Sequence, residues 1–139
     1  MSHFKTNEKF LEKFISLESR LAKKLNVNTA GVSGYIDRLT NVKGAPERDE
    51  TLSQLIHFRS LRNRLVHQDG ALRTLGEISK ADVKWLTKFE KKVKKNRDPL
   101  SLHGKNAKNN RRRKLLLFLF VLALFIVAVV STLAAVGII

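Results

Sequence analysis

Apolar residues recur every three or four positions along most of the first 95 residues, which is the spacing of one face of an α-helix. The first such stretch covers about residues 7–25. Its apolar stripe consists of Phe10, Phe14, Leu17, Leu21 and Leu25. A second, shorter helix is predicted over residues 32–42, between Gly31 and Gly44. No stretch alternates with the period of a strand, so the pattern predicts an all-α protein.

Two further helices have recognisable start signals. The third is predicted to begin at Pro46 and to continue to the Asp69–Gly70 turn. Proline suits the first helical position because the backbone N–H that it lacks would have no hydrogen-bond partner within the helix there. The fourth is predicted to run to Lys95 from a capping box formed by Ser79 and Asp82. Four helices with short connections predict a small antiparallel four-helix bundle over residues 1–95.

The pattern changes completely near the end of the chain. Residues 115–139 are 25 consecutive uncharged, mostly apolar positions, and a helix of that length measures about 37 Å against a hydrocarbon thickness of about 30 Å. This run predicts one C-terminal transmembrane helix. Residues 96–114 are rich in Pro, Gly, Asn and Ser and predict a flexible basic linker between the bundle and the anchor.

The distribution of charge predicts how the chain is oriented in the membrane. The chain has 27 Lys or Arg against 12 Asp or Glu, and residues 84–114 hold 13 of these basic residues and 2 of the acidic ones. The run Arg111, Arg112, Arg113 and Lys114 directly precedes the apolar segment, so we expect it to contact anionic lipid and to keep the N-terminal domain in the cytoplasm. The sequence thus predicts a single-pass, tail-anchored membrane protein. RNA is the competing polyanion for the same basic surface.

Composition excludes several kinds of chemistry. The chain has no cysteine, which removes disulfides, thiolate metal sites and cysteine nucleophiles. It has four scattered histidines without metal-ligand spacing and no glycine-rich phosphate loop, so we predict neither a metal site nor a cofactor. Metal-independent acid–base chemistry remains open.

One motif could carry such chemistry. The third predicted helix ends in HFRSLRNRLVHQDG, in which Arg62, Asn63 and His67 form R-N-x-x-x-H. This motif near the end of a long helix resembles the signature of HEPN domains, small helical bundles that include many RNases of toxin and antiviral systems. Asp69 stands where a subset of that family has a tyrosine, so modification by an antitoxin at that position is not inferred.

The spacing of the motif fits the chemistry of RNA cleavage. Arg59, Asn63 and His67 are four residues apart and share one stripe of the helix, while Arg62 flanks it. An imidazole can remove the proton of a 2′-OH, and a guanidinium can stabilise the charge that develops on phosphorus. The resemblance implies these roles for His67 and Arg62, with Asn63 in support. We add Arg59 and Arg64 as predicted contacts to substrate phosphates.

The resemblance also implies partners. The family usually builds its active site between two protomers, which predicts a homodimer, and its toxin and defence members imply an antitoxin or a defence-system partner. Three alternatives to a ribonuclease stay open. The motif could be a structural helix end in which Arg62 pairs with an acid and His67 caps carbonyls. The domain could instead be a non-catalytic, membrane-tethered module that binds a partner, nucleotide or RNA, or the anchor itself could perturb the membrane.

Overall fold

The computed structural model describes residues 3–137, and every regular element within that range is a helix. The helices are α1 (His3–Leu25), α2 (Gly31–Asn41), α3 (Arg48–His67), α4 (Ala71–Thr74), α5 (Lys80–Lys94) and α6 (Pro99–Ala135). The all-helical class expected from the sequence is therefore confirmed. The chain divides into two compact units, Met1–His103 and Gly104–Ile139.

Within the first unit, α1 is the helix around which the others pack. It contacts α2, α3, α4 and α5. Its apolar stripe is buried as the periodicity predicts, since Phe10, Phe14, Leu17, Leu21 and Leu25 all belong to the core. A helix that is surrounded on several sides has to present a broad apolar face, and α1 supplies it with large side chains at every turn.

Aromatic rings connect the helices through the middle of this core. Phe58 of α3 makes edge contacts with Phe10 of α1 and Trp85 of α5, at centroid distances of 5.3 and 5.4 Å. Trp85 stacks on Phe89 at 5.0 Å, and Phe89 in turn meets Tyr35 of α2 edge-on at 5.7 Å. This chain of rings holds α3 at a fixed distance from α1 and α5, which positions the motif helix.

The helix boundaries before α5 differ from the sequence prediction at several places, and α1, for example, begins at His3 rather than near residue 7. Helix α3 begins at Arg48 and not at Pro46, because Glu47 adopts a left-handed conformation (φ 53°) and the turn before it contains the proline. The short helix α4 was not expected. Its end is held by buried Asn7, whose side-chain amide donates to the carbonyls of Leu72 (3.1 Å) and Leu75 (2.8 Å).

The start of α5 is as predicted. The hydroxyl of Ser79 accepts a hydrogen bond from the backbone N–H of Asp82, and the Asp82 carboxylate accepts one from the backbone N–H of Ser79 at 2.8 Å. The capping box is thus complete, and it fixes where the chain re-enters the helical unit after the α4 turn.

Residues 99–114, which lie in the predicted flexible linker, are helical instead. Pro99 is the first residue of α6, and the buried Asp98 carboxylate accepts a hydrogen bond from the backbone N–H of Ser101 (3.3 Å), as an N-cap does. The same carboxylate receives the Lys24 ammonium (2.5 Å), the Ser101 hydroxyl (2.8 Å) and the Tyr35 hydroxyl (2.9 Å). This capped start explains why a segment of turn-forming composition is helical.

The second unit consists of the rest of α6 and the residues after it. From Leu115 onward the described side chains of α6 are almost all exposed and apolar. In the part of the chain that the structure describes, one helix is long and apolar enough to cross a membrane. Its described apolar portion, residues 115–135, measures about 31 Å at 1.5 Å per residue, close to the hydrocarbon thickness of a bilayer. The last two residues of the predicted anchor, Ile138 and Ile139, lie outside the described residues.

Candidate functional site on helix α3

Helix α3 presents the motif because its core face is fixed by four large side chains. Leu55, Phe58, Leu61 and Leu65 are all buried. The residues between them must therefore lie at the flanks of the helix or on its outer side. Arg59 and Arg62 are half-buried at a flank, while Asn63 and His67 are exposed.

The Arg62 guanidinium is held close to the protein surface. Its Nη1 donates to Oδ1 of the neighbouring Asn63 at 3.2 Å. Its Nε is buried and has no hydrogen-bond partner within residues 3–137. A buried donor without a partner is costly in a folded protein and calls for an explanation, such as a ligand or a water molecule. Arg62 makes no ion pair with an acid in the described chain, which is the contact that the structural alternative requires.

Arg62 lines a groove of about 750 Å³ between α3, α1 and the loop that leads into α2, which we term the α1–α3 groove. Arg59 and Asn63 line the same groove from α3. Nη1 of Arg59 donates to the Ser33 hydroxyl of α2 at 3.3 Å, so this guanidinium links α3 to α2 beside the groove. Two guanidiniums thus line the groove from α3, and Lys23 of α1 adds a third positive side chain to its lining.

His67 lies in a different hollow. It is the last residue of α3 and is exposed, and it lines a shallow depression of about 430 Å³ that we term the His67 hollow. Arg62 does not line this hollow, whereas Arg59 and Asn63 line both. Five residues of an α-helix turn through about 500°, so the directions of Arg62 and His67 differ by about 140°. The two motif residues therefore lie on either side of a ridge formed by Arg59 and Asn63.

The predicted phosphate contact Arg64 has another partner. Its guanidinium donates two hydrogen bonds to the Glu77 carboxylate, at 2.7 and 2.8 Å, in a bidentate ion pair between α3 and the loop before α5. The hydrogen bonds from Arg64 hold the pKa of Glu77 below its usual value. Arg64 is thus engaged within its own chain, which ties the end of α3 to the α4–α5 connection. Arg64 still lines the His67 hollow with Arg59, Asn63 and His67, whereas Arg62 shares only the α1–α3 groove with Arg59 and Asn63.

Residues of α1 belong to the site and were missed by sequence reasoning. Phe14, Ile15 and Glu18 line the α1–α3 groove opposite Arg62, and Val27 lines it from the loop after α1. Ile15 is the one signal available in the sequence, because it breaks the polar face of an otherwise amphipathic helix. It is 53% exposed.

The basic residues before the apolar segment lie on α6. Arg111, Arg112, Arg113 and Lys114 are exposed and occupy one turn of helix directly before Leu115. Four consecutive helical residues point in directions about 100° apart, so their charges surround the helix rather than form a stripe. A ring of cations at the end of an apolar helix is suited to the headgroup region of a bilayer.

The described residues contain no group of three or more His, Asp or Glu side chains that could hold a metal ion. A model of a family of unknown function, DUF6548, matches residues 8–116, a stretch that contains the motif, the groove and the basic turn of α6. No curated protein and no solved structure matches the chain.

Proposed function

The chain belongs to the DUF6548 family, and we propose that it is a membrane-tethered, metal-independent endoribonuclease of the HEPN type. The observation that carries the proposal is the cluster on α3. Arg59, Arg62, Asn63 and His67 line two adjoining hollows, and Arg62 has a buried Nε without a partner in the described chain. We further propose that α1, α2, α3 and α5 form the antiparallel four-helix bundle of that family, with α4 inserted between the last two.

The reaction that these groups can perform is transphosphorylation. The neutral imidazole of His67 removes the proton of a ribose 2′-OH, and the oxygen attacks the adjacent phosphorus. The bond from phosphorus to the 5′ oxygen then breaks, which gives a 2′,3′-cyclic phosphate and a 5′-hydroxyl end. Arg62 stabilises the negative charge that develops on the equatorial oxygens, and Asn63 holds the guanidinium in place.

A second copy of the chain could bring together Arg62 and His67, which lie in different hollows of a single copy. The leaving 5′ oxygen needs a proton, and a single chain offers one imidazole at this site. If two α3 helices face each other, Arg62 of one copy can approach His67 of the other, and the two imidazoles can serve as base and acid. The exposed side chains of Ile56 and Val66, 46% and 49% accessible on α3, are suitable apolar contacts for such a pairing.

The membrane sets where the reaction takes place. We propose that the apolar part of α6 spans the bilayer once and that the ring Arg111, Arg112, Arg113 and Lys114 stays with the cytoplasmic leaflet. The domain would then meet RNA in the cytoplasm. A setting in stress, toxin or antiviral defence, with a neutralising or defence-system partner, is part of the same proposal and follows only from the resemblance.

The test uses the full chain in lipid nanodiscs with a labelled single-stranded RNA and with EDTA present. We expect cleavage to 2′,3′-cyclic phosphate ends, and we expect Arg62→Ala and His67→Ala each to lower the rate by about 100-fold or more. His57→Ala is the matched control, because His57 is an exposed histidine of the same helix that lines neither hollow. Cleavage that persists unchanged in both motif variants would rule out the proposed activity.

The separation of Arg62 and His67 within one chain favours a second candidate, a non-catalytic membrane-tethered module that binds RNA or another partner. Under this alternative the α1–α3 groove binds without cleaving. If the wild type binds uncleaved RNA, Arg62→Ala loses this binding, and no cleavage occurs under any condition, the module is supported and the enzyme is excluded.

A further inference from the structure

The α1–α3 groove has a side that the cleavage reaction does not use. Away from Arg59 and Arg62, part of its lining is apolar and open to solvent, next to polar side chains such as Lys23 and Asn28. Ile15 is 53% exposed and Val27 is 37% exposed, and buried Phe14 lies beside them. Exposed aliphatic surface within a groove can bind the flat face of an aromatic ring system, because both are poorly hydrated.

The same groove contains a carboxylate without an internal partner. Glu18 is half-buried on α1, and its carboxylate makes no hydrogen bond or ion pair with any residue in the range 3–137. The lack of a partner is unusual because Arg59 and Arg62 line the same groove. Other acidic side chains of the domain, such as Glu77 and Glu90, are paired with arginines. An ionised carboxylate only accepts hydrogen bonds, so a ligand that pairs with it must offer donors.

The groove therefore specifies three properties of its ligand. The ligand must have an anionic group for the two guanidiniums, an apolar flat body for Ile15 and Val27, and hydrogen-bond donors for Glu18. A nucleotide has the first two properties whatever its base. Guanine also has the third, since its N1–H and its N2 amino group present two adjacent donors on one edge, which match the two oxygens of a carboxylate. The other bases present at most one such donor position on that edge.

We propose that the α1–α3 groove binds one guanosine of a single-stranded RNA, with its Watson–Crick edge on Glu18 and its phosphate at Arg59 and Arg62. This inference rests on the proposed function, because it makes the groove the subsite next to the cleaved phosphate. Glu18 then determines specificity without taking part in the bond-breaking step. The volume of about 750 Å³ accommodates a nucleotide together with water.

The experiment measures binding separately from cleavage. His67→Ala protein, full length in nanodiscs, is titrated with short fluorescent uridine oligomers that carry one central guanosine, adenosine, cytidine or uridine. We expect the guanosine oligomer to bind about tenfold more tightly than the other three, as a bidentate contact allows. Glu18→Gln should reduce this preference to about twofold or less, because the amide replaces one acceptor with a donor.

Two variants make the result specific. Glu12→Gln removes a charge from the same helix outside the groove and should leave the guanosine preference unchanged. Ile15→Ala shortens an exposed side chain, so folding is not at stake, and it should weaken all four oligomers without changing their order. Equal binding of the four oligomers, or a guanosine preference that survives Glu18→Gln, would overturn the proposal.

Failure here and failure of the proposed function give different results. A guanosine preference that depends on Glu18, combined with no cleavage by the wild type, would disprove the ribonuclease and leave the groove as a binding site. Cleavage that depends on Arg62 and His67 but has no base preference would disprove the role of Glu18 alone. Free guanosine monophosphate serves as a competitor, and competition by it without any preference among the oligomers would show a free-nucleotide site and overturn the RNA subsite.

Discussion

At the scale of single residues, the most demanding feature of the domain is the buried carboxylate of Asp98. It is fully inaccessible and is surrounded by hydrogen-bond donors from Lys24, Tyr35 and Ser101. Burial alone would raise its pKa, but the hydrogen bonds from Lys24 and Ser101 and the charge of Lys24 hold the pKa below its usual value. For Tyr35, burial and the neighbouring carboxylate both raise the pKa of the phenol. The network is therefore stable as an ionised acid beside a neutral phenol.

The first prediction concerns Asp98→Asn. Removing one member of a buried ion pair costs about 3 kcal/mol, so we expect a loss of this order in the free energy of unfolding at neutral pH. Because the pKa of Asp98 is lowered in the folded state, its contribution is complete above the unfolded value of about 3.9 and is lost as the pH falls through the folded value. The difference between wild type and variant should thus shrink below about pH 4.

Trp85 is the natural reporter for this measurement, since it is the single tryptophan of the chain and packs against Phe58 and Phe89. Urea unfolding of the full chain in detergent, followed by its fluorescence at several pH values, gives the difference. Asp49→Asn is the control, because the Asp49 side chain is 89% exposed and its ion pair with Arg48 contributes little. A difference that stays constant from pH 7 to pH 3 would contradict the proposed role of the Asp98 charge.

At the scale of helices, the packing of α2 on α1 depends on Gly31. A Cβ at this position would meet the backbone oxygen of Glu18 and the backbone nitrogen of Ala22, and neither can move without distorting α1. Gly31→Ala should therefore destabilise the domain by about 3 kcal/mol or more, at the upper end of overpacking effects, and should also disturb the groove beside Glu18.

Gly34→Ala is the matched control for this second prediction. It lies on the same helix, and its added Cβ would have Leu25 Cδ1 as its nearest atom, at an ordinary 3.4 Å. Replacing a glycine inside a helix by alanine favours the helix by about 0.5–1 kcal/mol. Urea unfolding should separate the two variants in opposite directions, and similar midpoints for both would show that the close approach of α2 to α1 is not required.

Local signals in the sequence predicted much of this helical arrangement, but they did not predict contacts between residues far apart in the chain. The Ser79–Asp82 capping box and the buried face of α1 follow from residues three or four positions apart. The start of α6 was missed although the order Asp98, Pro99 is a typical helix start, because the asparagines and glycine that follow favoured a linker. The pairing of Arg64 with Glu77 depends on how the chain turns through α4, and no periodicity predicts it.

The candidate site shows the same division. The sequence predicted that Arg62 flanks the stripe of Arg59, Asn63 and His67 and meets His67 at one end of the helix, whereas the structure places Arg62 and His67 in two different hollows. Glu18 and Ile15 line the α1–α3 groove because α1 packs beside α3. This packing is a long-range contact that the sequence pattern does not predict. The roles of Arg62, Asn63 and His67 in catalysis stay predictions.

At the scale of the whole molecule, charge and apolarity are sharply divided at Leu115. The ring Arg111, Arg112, Arg113 and Lys114 stands directly before this boundary, and under the proposed single-pass topology these positive residues determine the orientation of the span. The third prediction is that replacing these four residues by glutamine randomises the orientation of the domain, so that part of the protein becomes protected from protease added to the cytoplasmic side of membrane vesicles. Wild-type domain should be fully digested in the same assay.

The control replaces four other exposed cations, Lys88, Lys91, Lys94 and Lys95, by glutamine, which changes the net charge by the same amount at about 20 residues or more from the apolar segment. Since the orienting effect of positive residues fades over about 15–20 residues from the span, this variant should keep the wild-type orientation. If both variants are digested like the wild type, the ring does not set the topology. If both lose orientation equally, net charge rather than position acts, and the cytoplasmic placement of the proposed ribonuclease site loses its basis.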